Sequence, residues 1–99
     1  MDVKWLRVAL ENLDAEAEYI ANDNPRAAER TVIAIREAVK LLSDFPAMGR
    51  TGRVSGTREM VVPGTPYIVP YRVRDNHIQI LRMLHAARKW PKSFDSKKQ

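Results

Sequence analysis

The chain contains no cysteine, which excludes a disulfide framework, a thiolate metal site and a cysteine nucleophile, and fits a reducing compartment. Histidine is almost as scarce. His77 and His85 stand at no ligand spacing, so neither a metal nor any other cofactor is expected. Long hydrophobic runs are missing too: uninterrupted apolar stretches are a few residues long, against the roughly 20 that span a bilayer. The first ten residues carry Asp2, Lys4 and Arg7 where a signal peptide would be apolar. No membrane association is expected, and the default location is cytoplasmic. With 44% hydrophobic and 29% charged residues, the composition is that of an average globular protein, not of a collagen, a coiled coil or a disordered chain. Ninety-nine residues suffice for a single domain, 1–99, with one modest core.

Charge is unevenly distributed. Residues 1–49 hold six basic and nine acidic side chains, whereas residues 50–99 hold eleven basic and three acidic, so the overall +5 comes from the second half. Such a field attracts phosphates or acidic protein surfaces, and charge alone does not choose between them.

Hydrophobic spacing places the elements. Val3 and Trp5 flank Lys4 as in a short strand. Leu6, Leu10, Leu13, Ala17 and Ile20 recur at alternating spacings of four and three, which predicts an amphipathic helix over residues 7–22. Asn24-Pro25 then supplies an N-cap and a first helical residue that needs no N–H partner. The stripe Ala28, Val32, Ile35, Val39 and Leu42 predicts a second, antiparallel helix that ends before Phe45-Pro46 and Gly49.

The remainder reads as β-structure. Gly49, Gly52 and Gly56 punctuate a loop before a strand at 57–62, and Pro63-Gly64-Thr65-Pro66 is a turn. Tyr67–Arg74 and 77–85 form a hairpin around Asp75-Asn76, two residues that tolerate the positive φ of a tight turn. Counting outward from it pairs Val73 with Ile78, Tyr71 with Ile80, Val69 with Arg82 and Tyr67 with Leu84 on an apolar side. Ile68, Pro70, Arg72, Arg74, His77, Gln79, Leu81, Met83 and His85 are left on an uncovered opposite side. Pro70 calls for a bulge or a solvent-facing edge. The fold class is α+β, in the order β-α-α-β-β-β: a helical hairpin packed on a mostly antiparallel sheet. Residues 92–99 read as a flexible polar tail. Arg82, among apolar neighbours, is expected to pair with Glu18 or Glu37, and His85 to be a packed histidine. Trp5, Tyr67 and Tyr71 are expected in the core. Both helices lack a basic recognition face, which argues against a direct nucleic-acid adaptor.

In order along the chain, Tyr19-Ile20-Ala21, Asn24-Pro25, Phe45-Pro46 through Gly52-Arg53, Gly56-Thr57-Arg58-Glu59, Pro66-Tyr67-Ile68-Val69, Tyr71-Arg72-Val73, Ile80-Leu81-Arg82 and Leu84-His85 with Ala87-Arg88 and Trp90-Pro91 resemble the RelE/ParE superfamily of type II toxin–antitoxin toxins. The ParE-like branch is the better match. The resemblance implies the same α+β fold, a ParD-like antitoxin that wraps the toxin and alone contacts operator DNA, and inhibition of DNA gyrase. Inhibition of that kind needs no catalytic residue but a surface selective for one state of the target. Arg50, Arg53, Arg58, Arg72, Arg74, Arg82, Arg88, Lys89 and Trp90 are the candidate partner-binding residues. The alternative is a RelE-like ribosome-dependent mRNA endonuclease. Here Ile68 and Ala86 stand where that branch carries an arginine and a tyrosine, which leaves Glu59 as base, Arg58 and Arg72 on the phosphate and His85 as acid.

Overall fold

The computed structural model describes residues 1–94. Strand β1 (Asp2–Trp5) leads into helices α1 (Arg7–Asp23) and α2 (Pro25–Leu41), followed by β2 (Arg50–Thr51), β3 (Arg58–Val61), β4 (Tyr67–Arg74), β5 (His77–Ile80) and β6 (Leu84–His85). The sheet order is β1-β5-β4-β3-β2, with β6 also on β4; β1 runs parallel to β5 and the other pairs are antiparallel. This is the expected α+β architecture.

Local chemistry accounts for the junctions. The Asn24 side chain accepts from the Ala27 N–H at 3.0 Å, and Pro25 opens α2. Asp75 and Asn76 adopt φ of 52° and 63°, the left-handed pair that closes a two-residue hairpin and sets Arg74 opposite His77. One face of the sheet, carrying Met60, Val69, Tyr71, Ile78 and Ile80, meets Ala9, Leu13, Ile35, Val39 and Leu42 of the helical layer in a single core. Each large aliphatic side chain buried there contributes roughly 1.5–3 kcal/mol. Trp5 packs on its margin, and Tyr67 and Tyr71 are buried in it.

The helix stripe differs from its expected composition. Leu10 is 45% exposed and Ala9 is fully buried, because α1 is rotated to bring its small Ala9 against the sheet. A second difference is the hairpin register beyond Ile80. The Leu81 N–H still donates to the Pro70 carbonyl, but Ile68 faces Leu84 and Tyr67 faces His85, so Val69 is opposed by both Arg82 and Met83. This is a β-bulge, and Pro70 explains it: its missing N–H would have pointed to the same neighbour as its carbonyl, leaving the partner strand free to carry an extra residue. The expected pairs Val69–Arg82 and Tyr67–Leu84 are therefore not formed, and Met83 turns into the core.

The opposite face is also less open than expected. Ile68, Pro70 and Leu81 are buried. Arg53, from the β2–β3 loop, stacks on Trp90 with its guanidinium carbon 3.5 Å from the ring centroid, and the Trp90 indole N–H donates to the His85 carbonyl at 3.3 Å. Loop and C-terminal segment thus meet across this end of β4. Within the expected tail, Ser93 and Phe94 are half-buried, and residues 95–99 lie outside the described residues.

Candidate functional site

Strand alternation sorts the second half's cations between the two faces of the sheet. Glu59 lies opposite Pro70 and points away from the helices, 3% exposed. Its Oε1 accepts from Arg50 Nε and Nη2 at 3.1 and 3.0 Å, and its Oε2 from the Arg53 backbone N–H and Nε at 2.8 and 3.1 Å. Burial alone would raise its pKa, but the Arg53 amide and the two guanidinium groups outweigh burial and hold the carboxyl below its ordinary range. The arginine side chains remain 53% and 45% exposed. Glu59 thus serves as an anchor that holds two cationic heads at the surface.

On the same face, Arg72 donates through Nε to Gln79 Oε1 at 2.8 Å. Burial and the neighbouring Arg74 lower the Arg72 pKa. The register sets Lys4 of β1 beside Gln79 and Arg74 beside His77. One face therefore carries Lys4, Arg72, Arg74, Arg50 and Arg53, with Trp90 at its margin. Lys4 was missed in the sequence because strand β1 joins the sheet by a parallel pairing with a segment over seventy residues away.

The remaining candidates lie elsewhere. Arg58, opposite Tyr71, faces the helix side, where its Nη1 donates to the Gly49 carbonyl at 2.8 Å. Arg88 Nη1 donates to Glu16 Oε2 at 2.6 Å, and Lys89 is exposed beside it. Arg82 is 3% exposed and lies at the back of a groove instead of on the open cationic face, and the expected pairing with Glu18 or Glu37 is not formed. The bulge directs Arg82 to the opposite end of α1 from Glu18, and its Nη1 instead donates to the Leu81 carbonyl at 2.6 Å.

The four residues named for phosphodiester cleavage do not converge. Glu59 and Arg72 share the outer face, whereas Arg58 and His85 lie on the helix side of the sheet. His85 meets Tyr67 edge to face at 5.6 Å between centroids, and its Nδ1 accepts from the Ala87 N–H. No group of three or more His, Cys, Asp or Glu suited to holding a metal ion occurs among the described residues.

A second polar system ties α1 to the sheet. The Tyr67 hydroxyl donates to Glu16 Oε1 at 2.9 Å, and the same carboxylate receives Arg88. Burial and the adjacent carboxylate push the Tyr67 pKa up to about 12. The folded state therefore holds this proton more tightly than the unfolded chain does. The associated stability is whole below pH 10 and is lost as the pH rises through about 12. Urea unfolding at pH 9 and pH 11.5 should show wild type losing on the order of 1–2 kcal/mol more than Tyr67→Phe over that interval.

A family model described as the ParE toxin of a type II toxin-antitoxin system, parDE, matches residues 3–90. The chain is 44% identical over 89 residues to a putative toxin, Y4kP, of Sinorhizobium fredii (strain NBRC 101917 / NGR234), with 90% of this chain and 92% of the relative covered. It is 36% identical over 86 residues to Toxin RelE2 of Caulobacter vibrioides, covering 87% and 96%. A solved structure of a chromosomal ParDE TA system from P. aeruginosa superposes with a TM-score of 0.77 at 35% identity, covering 86% of this chain and 95% of that one.

Proposed function

The chain belongs to the ParE toxin family of type II toxin–antitoxin systems, and from that premise we propose that it inhibits DNA gyrase by binding and is neutralised by a ParD-like antitoxin. The observation that carries this reading is the outer face itself. Its cations are ordered by the sheet and by Glu59, while that carboxylate is committed to Arg50 and Arg53 and Arg72 donates to Gln79 instead. A surface of this kind grips an acidic protein or a phosphate backbone, and it stabilises whichever state of the target presents those groups. A ligand shifts the cleavage equilibrium of a topoisomerase only by differential affinity, so no general base is required of the toxin.

The similarity to Toxin RelE2 favours a second reading, ribosome-dependent cleavage of message. Purified protein added to gyrase supercoiling reactions and, separately, to programmed ribosomes distinguishes the two. Loss of supercoiling with accumulation of cleaved DNA supports the gyrase reading; cut message with intact supercoiling overturns it.

Antitoxin binding should carry an electrostatic component. Arg72→Ala is expected to weaken the complex about tenfold at 50 mM salt and two- to threefold at 500 mM, because the Debye length falls severalfold over that range. Calorimetric titration at the two salt concentrations checks this, and equal losses would point to lost packing instead.

A further inference from the structure

Arg82 is a buried cation that the cationic outer face does not use. It is 3% exposed; Nη1 reaches its own neighbour's carbonyl, and the buried Nη2 has no hydrogen-bond partner among the described residues. Burial lowers its pKa, and among the described residues no carboxylate offsets that effect. The nearby Glu16 is already shared by Tyr67 and Arg88. The Phe94 ring lies close by, its centroid 5.4 Å from the guanidinium carbon, a weak compensation for a desolvated charge. Arg82 lines a groove with Lys89, Val8, Leu84 and Trp90, between the start of α1 and the residues following β6. The first turn of α1 has neither a capping side chain nor an acidic residue, so the positive end of its dipole is also uncompensated there.

We propose that this groove is a docking pocket for a single carboxylate side chain of the antitoxin, with Arg82 as its receptor and Lys89 as the second cation. The proposal rests on the reading that an antitoxin binds this chain. A planar two-oxygen acceptor matches the guanidinium fork, and the apolar walls supplied by Val8, Leu84 and Trp90 suit an acidic residue flanked by apolar ones. A nucleic-acid backbone fits less well. Its successive phosphates need a track of cations, and next along this surface Arg88 is already neutralised by Glu16.

Sodium acetate is the probe, read by the guanidinium NMR signal of Arg82 and by Trp90 fluorescence, with sodium phosphate as the competing arm and sodium chloride as the ionic-strength control. Wild type should give a saturable acetate response, weakened about threefold in Lys89→Ala and about tenfold in Arg82→Lys, and abolished in Arg82→Met. Arg82→Met should also melt at or above the wild-type temperature, since replacing an uncompensated buried charge with an apolar chain of similar length relieves desolvation. A merely structural arginine would give the opposite shift. The proposal is overturned by the absence of a saturable acetate response, by a response that survives Arg82→Met, or by phosphate binding tighter than acetate. In a parallel arm, co-purification with a ParD-like antitoxin should be retained by wild type and weakened by Arg82→Met. An acetate response without any antitoxin capture by wild type overturns the partner assignment, whereas antitoxin capture without an acetate response overturns the pocket.

Discussion

Replacing Glu59 by alanine is expected to destabilise the protein by about 3 kcal/mol, and with it to scatter the cationic face. The carboxylate is buried and accepts from Arg50, from the Arg53 amide and from the Arg53 side chain, so its removal leaves a part-buried amide and two guanidinium groups without their acceptor. A fully buried ion pair broken in this way would cost more, roughly 3–5 kcal/mol, but both arginine heads keep contact with water and recover part of the loss. For a chain of this length the change corresponds to a drop in Tm of about 12–24 °C. Glu59→Gln, which preserves shape and one acceptor oxygen, should lose about 2 kcal/mol.

The pH dependence separates charge from packing. Because the folded-state pKa of Glu59 lies below its ordinary value of 4.5, its contribution is complete above that pH and is lost as the pH falls through the folded value. Chemical denaturation at pH 7 and pH 3.5 should therefore show a smaller acid-induced loss in Glu59→Gln than in wild type. An identical acid limb in the two proteins would show that the carboxylate charge does not hold this face together. The gyrase inhibition proposed above should fall in step, since Glu59 is the acceptor that holds both Arg50 and Arg53 and only Arg53 keeps a second hold, its stacking on Trp90.

Gly49→Ala should be comparably damaging, at about 3 kcal/mol, for a steric reason. A Cβ at this position would stand 2.6 Å from Tyr71 Cε1, 2.7 Å from its hydroxyl and 2.9 Å from the Glu59 carbonyl oxygen. The ring cannot retreat, because Tyr71 is fully buried in the core. The loop cannot retreat cheaply either: the Tyr71 hydroxyl accepts from the Gly49 N–H at 2.8 Å and donates to the Pro46 carbonyl at 2.7 Å. Tyr71→Phe alone should lose about 1–2 kcal/mol through those two bonds. The double variant should lose less than the two single losses added, because both act on one contact. Additive losses in thermal denaturation would mean that Gly49 matters for some other reason. Gly49 immediately precedes Arg50, so the same clash displaces the first cation of the outer face.

These two positions also mark what can be read from the sequence and what cannot. The helices are announced by stripes of period 3.6, by Asn24 as cap and by Pro25 as first residue, all interactions within a few residues of one another. The turn at Asp75-Asn76 is equally local, and it fixes the register as far as Ile80. Beyond Ile80, the missing N–H of Pro70 admits an extra residue in the partner strand, and every later side chain changes face. Met83, Leu84 and His85 stand on the faces opposite to those expected for that reason. Glu59 in the sequence is one acid among many bases; that it gathers Arg50 and Arg53 depends on two strands and a loop closing around it.

The sequence by itself determined the α+β class, the two helices, the hairpin turn and the toxin family, because each is specified by short-range chemistry or by motifs in a fixed order, whereas the short strand β2 and the division of residues 77–85 into β5 and β6 were not legible in it. The tertiary structure alone decided which cations share a face. It buried Arg82, turned Arg58 toward the helices, tied Arg88 to Glu16 and brought Lys4 alongside Arg72. The physical reason is that a side chain in a sheet belongs to one face or the other by a count of single residues, and one bulge, one parallel pairing or one buried carboxylate resets that count for residues far away in the chain.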